Sequence, residues 1–167
     1  MGTRSLTSFF EKGDEKPFAT MYRQFDGYLE GHGNDLAEFL KERARVNGIS
    51  DETAENAANG MGCLAAQCVA WFKTGRHYKG GKGHGAKEKE LQIGEIYLHA
   101  YGDCGQEFEY EVRPDAVENE LFGPRKKAGW LLTAYSTGRI SGKKKLFDGT
   151  PEEFLRKLEA DEFNKDD

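Results

Sequence analysis

Two stretches of the chain concentrate the residue types that could recognise a charged ligand. The first is Tyr22-Arg23-Gln24-Phe25-Asp26-Gly27-Tyr28-Leu29-Glu30-Gly31-His32-Gly33. Its glycines would let backbone approach a ligand closely, and free N–H groups at the start of a following helix favour an anion. Arg23 and His32 would add charge or donors, Asp26 a carboxylate, and Tyr22 or Tyr28 a face on which a ring could stack. The second is Thr74-Gly75-Arg76-His77-Tyr78-Lys79-Gly80-Gly81-Lys82-Gly83-His84-Gly85-Ala86-Lys87. It lacks the spacing and the Lys-Ser/Thr pair of a Walker loop. Mobile N–H groups with Arg76, Lys79 and Lys82 beside them could nevertheless close over phosphates, and Tyr78 could stack. Each stretch also has a plain structural reading, as a turn between elements and as a solvated loop.

Other chemistries find less support. The histidines His32, His77, His84 and His99 and the cysteines Cys63, Cys68 and Cys104 form no His-x-His, His-Glu-x-x-His or Cys-x-x-Cys pattern. Neither a metal nor a cofactor is therefore expected. No Gly-x-Ser-x-Gly occurs. A small hydrolase or transferase would have to use Asp26, Glu30 and His32 as an acid–base group, or Cys104 with His99 as a nucleophile pair. Arg125-Lys126-Lys127 and Lys143-Lys144-Lys145 bracket Trp130 and Tyr135, a mixture that suits single-stranded nucleic acid. Against it stand a net charge of -5 and the alternating Glu107, Glu109 and Glu111, which would repel phosphates from one sheet face.

The elements that must position these residues follow from periodicity. Phe18 to Phe25 reads as a strand, and Asp26-Gly27 turns the chain. A helix is expected over 34–46, with Leu36, Phe39 and Leu40 on one face. A longer one is expected from Ser50 to about Thr74, where Ala54, Ala57, Ala58, Met61, Leu64, Ala65, Cys68 and Phe72 recur at helical spacing. Gly60 and Gly62 lie inside it, so a break near Gly60 is the competing reading. Its small residues permit close approach to a sheet or to a second copy of the chain. Ile93–Tyr101 and Gln106–Arg113 read as a hairpin about Gly102-Asp103-Cys104-Gly105. In its first strand Tyr97, His99 and Tyr101 share a face, and in its second Phe108, Tyr110 and Val112 alternate with glutamates. Trp130–Tyr135 and Lys145–Phe147 read as further strands. Thr150-Pro151-Glu152-Glu153 opens a last helix with a capping box.

This order predicts an α+β fold, a mainly antiparallel sheet of four to five strands with about three helices packed on it. Residues 1–16 read as a flexible N-terminal arm, although Leu6, Phe9 and Phe10 could dock on the body. Residues 17–160 read as one domain and 161–167 as an acidic tail. Hydrophobic residues make up 37% and charged residues 32% of 167, with mean hydropathy -0.77. Eleven Phe, seven Tyr and two Trp supply the core. No run approaches the ~18 apolar residues that would cross a bilayer. With no secretory signal and no disulfide spacing, the bacterial cytoplasm is the expected location.

Tyr22-Arg23 with Asp26-Gly27-Tyr28, then Gly31-His32-Gly33, Leu36 and Phe39-Leu40, resembles the opening of small uncharacterised proteins from tailed bacteriophages and prophages. Where those proteins often carry Pro after the tyrosine, this chain has Leu29. The stretch Leu146-Phe147-Asp148-Gly149-Thr150-Pro151-Glu152-Glu153-Phe154-Leu155 is similar to their ending. The resemblance spans roughly 40 residues at the two ends, built of turn and cap signals. It implies a phage origin and brings no activity or functional residue. The expectation is a phage-encoded, non-enzymatic binding protein for an anionic, nucleotide-like ligand that sequesters a host defence signal. Its rivals are an inhibitor of a host protein acting through an acidic surface, and a small hydrolase or transferase.

Overall fold

The computed structural model of the protein describes residues 2–46, 56–74, 95–115, 129–138 and 142–164. Its strands are β1 (Ser5–Phe9), β2 (Ala19–Arg23), β3 (Ala44–Val46), β4 (Ala57–Asn59), β5 (Ile96–Leu98), β6 (Phe108–Pro114), β7 (Trp130–Gly138) and β8 (Gly142–Gly149). The helices are α1 (Asn34–Lys41), α2 (Gly60–Lys73) and α3 (Pro151–Glu159), with a π-helical turn over Leu29–Gly33. Six strands form one sheet in the order β5-β2-β1-β6-β7-β8, and β3 and β4 form a separate parallel pair. Only β1 and β6 run parallel in the large sheet, so it is mainly antiparallel. The class is α+β, as the element order predicts.

Register places Phe9, Met21, Ile96, Tyr110, Val112, Leu132, Ala134 and Phe147 on one face. They share a continuous core with Leu36, Phe39 and Leu40 of α1, Leu64, Cys68 and Phe72 of α2, and Phe154 and Leu155 of α3. All three helices therefore cover the same side of the sheet. Each of these large side chains contributes roughly 1.5–3 kcal/mol on leaving water, which is what holds helices to strands. The capping box of α3 is present in full: Glu153 N donates to Thr150 Oγ1, and Thr150 N donates to Glu153 Oε2.

Four local readings of the sequence are corrected. The supposed N-terminal arm contains β1, a central strand whose five residues are all buried between β2 and β6. The supposed hairpin does not form: β5 pairs with β2 while β6 pairs with β1 and β7. Gly102 (φ 142) and Gly105 (φ 73) instead carry the chain from the last strand of the sheet to its middle. The first long helix ends at Lys41, and 44–46 turn into β3, whose partner β4 occupies 57–59. The second begins at Gly60, whose φ of 76 is the left-handed break that a glycine permits. The expected Ser50 start lies outside the described residues, as does the basic cluster Arg125-Lys126-Lys127.

Candidate functional site

The segment from Tyr22 to Gly33 leads from β2 through a tight corner into α1. Asp26 adopts a left-handed φ of 55, and its carbonyl accepts the His32 N–H at 2.7 Å. The glycines of this corner are filled by the protein itself. A Cβ on Gly27 would lie 2.6 Å from the Arg4 carbonyl carbon, one on Gly31 2.4 Å from the Asp26 oxygen, and one on Gly33 2.8 Å from Phe154. Tyr110, fully buried on β6, donates its hydroxyl to the Gly27 carbonyl at 2.9 Å. Burial pushes the Tyr110 phenol well above its ordinary pKa, so it stays a donor.

Arg23 and His32, two expected ligand residues, meet inside this corner. Arg23 is 2% exposed and His32 wholly buried. One Arg23 nitrogen, Nη1, lies 3.0 Å from Asp35 Oδ2 and 3.2 Å from His32 Nδ1, and Nη2 lies 3.3 Å from Glu95 Oε1. An arginine can only donate, so His32 Nδ1 accepts, and its Nε2 carries the proton that it gives to Thr7 Oγ1 at 2.7 Å. The His32 ring also sits 4.9 Å from the Phe72 ring and 5.2 Å from Tyr110. One buried guanidinium thus ties β2, α1 and the approach to β5 together, with His32 linking it to β1. A buried cation of this kind needs such partners, since leaving it or its carboxylates alone is expensive.

The other expected residues are placed apart. Asp26 and Tyr28 are exposed on the outside of the corner. Tyr22 points to the sheet face opposite the helices, where its hydroxyl donates to Gln24 Oε1 at 2.6 Å. Arg76, Tyr78, Lys79 and Lys82 lie outside the described residues. Two described residues, one on each side of that stretch in sequence, reach Arg23. Phe72, near the end of α2, has its ring centroid 5.4 Å from the guanidinium carbon, and Glu95 forms the ion pair.

Three residues not expected to touch a ligand lie near Tyr22 or its strand partner. Tyr97 stands opposite Tyr22 in register, with ring centroids 6.1 Å apart, and His99 lies 6.0 Å from Tyr22. Lys73 Nζ is 5.5 Å from the Tyr97 centroid. The alternation of Tyr97, His99 and Tyr101 is visible in the sequence; their pairing with β2 is not.

The rival chemistries look different in three dimensions. Glu107 is paired with Arg4, Glu109 with Lys143, and Glu111 with Lys143 and Arg113, so the acidic ladder is matched by cations. Burial, then Asp103, pushes the Cys104 thiol up, which opposes a thiolate nucleophile. His32, the other proposed base, is enclosed by Thr7 and Arg23. Among the described residues no cluster of His, Cys, Asp or Glu could hold a metal ion, and no helix is long and apolar enough to cross a membrane. A groove of about 350 Å³ lies elsewhere, between the end of β8 and α3, lined by Phe147, Asp148, Glu153, Arg156, Lys157 and Glu162. Its walls carry both charges and include none of the expected residues. No protein-family model, curated protein or solved structure matches the chain.

Proposed function

We propose that the protein is a non-enzymatic binding protein for a small anionic, nucleotide-like ligand. The observation that carries this reading is the clasp at Arg23, where the residues before and after the basic glycine-rich stretch are held by one buried side chain. Arg23 and His32 then act as the internal frame of the site, Arg23 through its ion pairs with Asp35 and Glu95 and His32 through its hydrogen bond to Thr7. Contact with the anion falls to Lys73 and to Arg76, Lys79 and Lys82 of the stretch itself. Phosphate recognition by several cations and glycine N–H groups is a general solution that needs no catalytic group.

The phage-like opening and ending of the chain supply the biological setting, in which sequestration of a host defence signal is the proposed role. The ion-paired glutamate ladder speaks against an inhibitor that acts through an acidic surface. Calorimetric titration with nucleoside mono- and diphosphates tests the reading. Saturable binding that weakens as salt rises, and weakens further in Lys79→Ala/Lys82→Ala, is the expected result. Absence of binding to every nucleoside phosphate, or turnover of one abolished by Cys104→Ser, would overturn it.

A further inference from the structure

The buried guanidinium of Arg23 is incompletely used. Its Nη1 donates to Asp35 Oδ2 at 3.0 Å and faces His32 Nδ1 at 3.2 Å, with the Phe72 ring centroid 5.4 Å from the guanidinium carbon. The other edge carries Nε and Nη2, whose N–H bonds run side by side and fit two oxygens of one anion. Nη2 meets Glu95 Oε1 there at 3.3 Å, the longer of the two Arg23 ion pairs. Among the described residues, neither the buried Arg23 Nε nor the buried Ser5 hydroxyl has a hydrogen-bond partner. Ser5 stands directly opposite Arg23 in the β1–β2 register, so both side chains leave the same face of the sheet. Buried donors left unpaired are costly, and two that neighbour each other mark a place that calls for acceptor oxygens.

Glu95 is a strained occupant of this edge. Its backbone is left-handed at φ 60, a conformation that a residue other than glycine keeps only when its surroundings impose it. Its side chain is 15% exposed, so the carboxylate stands at the border of solvent. We infer that the Nε/Nη2 edge of Arg23, with the Ser5 hydroxyl, is an oxyanion subsite for a phosphoryl group, and that Glu95 fills it as an internal stand-in which the ligand displaces. This inference rests on the binding role proposed above and adds the buried contact through which the anion is read. Exchanging Glu95 for a phosphoryl group keeps a negative charge beside the guanidinium and returns the carboxylate to water. It also releases the left-handed backbone and supplies Nε and Ser5 with acceptors. A phosphoryl group brings three terminal oxygens to the three donors Nη2, Nε and Ser5 Oγ, where a carboxylate brings two. Asp35 stays on Nη1 throughout, so the tie between β2 and α1 survives the exchange.

The test titrates inorganic phosphate and the nucleoside 5′-monophosphates into the full chain and into Glu95→Gln, by calorimetry and by NMR of the Arg23 Nε–H. If Glu95 vacates the edge in about a tenth of molecules or fewer, Glu95→Gln should tighten phosphate binding about tenfold or more. Phosphate should shift the Arg23 Nε–H resonance in both proteins and raise the melting temperature of Glu95→Gln more than that of the wild type. Ser5→Ala, added to Glu95→Gln, should give back part of the gain. The Nε–H resonance is read in the wild-type protein as well, so the outcome does not depend on how well the variants fold. Nucleotide binding with that resonance unmoved, and with an affinity that Glu95→Gln leaves unchanged, would overturn the subsite while the binding role stands. Failure of phosphate and of every nucleotide to bind either protein would overturn both.

Discussion

Replacing Gly27 by alanine separates a packed corner from an open ligand cradle. The added Cβ would lie 2.6 Å from the Arg4 carbonyl carbon and 2.7 Å from the Ser5 nitrogen, where ordinary contact begins near 3.4 Å. Both atoms are main chain, so the clash can be relieved only by moving the backbone by roughly 0.8 Å. That backbone leads directly into β1 and is held by the Gly27 N–H on the Thr3 carbonyl at 2.9 Å and by pairing on both sides of β1. Overpacking of this kind costs about 1–3 kcal/mol, and the rigidity of the obstacle points to the upper half of that range. For a chain of this size the melting temperature should fall by roughly 4–12 °C. Gly62→Ala is the matched control, because nothing lies within 4 Å of its Cβ position on α2. There helix propensity alone should act, a gain of up to ~1 kcal/mol and roughly 2–4 °C. Thermal and urea unfolding followed by circular dichroism measure both. Gly27→Ala at wild-type stability, but with ligand binding lost, would refute the packing argument and restore the cradle.

Other outcomes follow from the same geometry. Arg23→Met leaves Asp35 and Glu95 without their cation and should cost about 3 kcal/mol in urea unfolding, with part regained in Arg23→Met/Asp35→Asn; an unchanged midpoint would count against the clasp. The Thr133 hydroxyl, and then Lys145, hold the Asp148 carboxyl below the ordinary aspartate range. Its stabilising effect is therefore present above the unfolded pKa of 3.8 and fades as pH falls through the lower folded value. Thr133→Val should move the NMR titration of Asp148 upward, and an unmoved curve would contradict the assignment. Burial raises the thiol pKa of both Cys68 and Cys104, so iodoacetamide at neutral pH should label Cys104 slowly and Cys68 only after unfolding. Thr150→Ala should cost about 1 kcal/mol through loss of the α3 cap, read by urea unfolding.

The parts of the fold that the sequence announced are those where local chemistry and tertiary structure agree. Phe108, Tyr110 and Val112 alternate with glutamates because β6 has one face on the core and one facing an ion-paired surface. Thr150-Pro151 with Glu153 is a complete start signal, and α3 begins there. β1 was hidden because a strand buried on both faces has no alternation, and because Ser5, Thr7 and Ser8 read as loop residues. Thr7 is tolerated there because His32, distant in sequence, supplies its partner. The false hairpin has the same origin: turn residues at 102–105 signal reversal, but only long-range pairing puts β2 and β1 between the flanking strands. In the candidate site, Arg23 and His32 stand out by their chemistry, while their burial depends on Asp35, Glu95 and Phe72 arriving from three other parts of the chain. Glycine was ambiguous in kind, since close approach of a ligand and close approach of the chain demand the same residue.

The most direct test of the binding role is native mass spectrometry of the protein isolated from phage-infected or defence-expressing bacteria, before and after denaturation. The account predicts a complex heavier than the 18.7 kDa chain that releases a phosphorylated small molecule on unfolding. A mass equal to the chain alone, in a preparation that also fails to bind any added nucleoside phosphate, would contradict it.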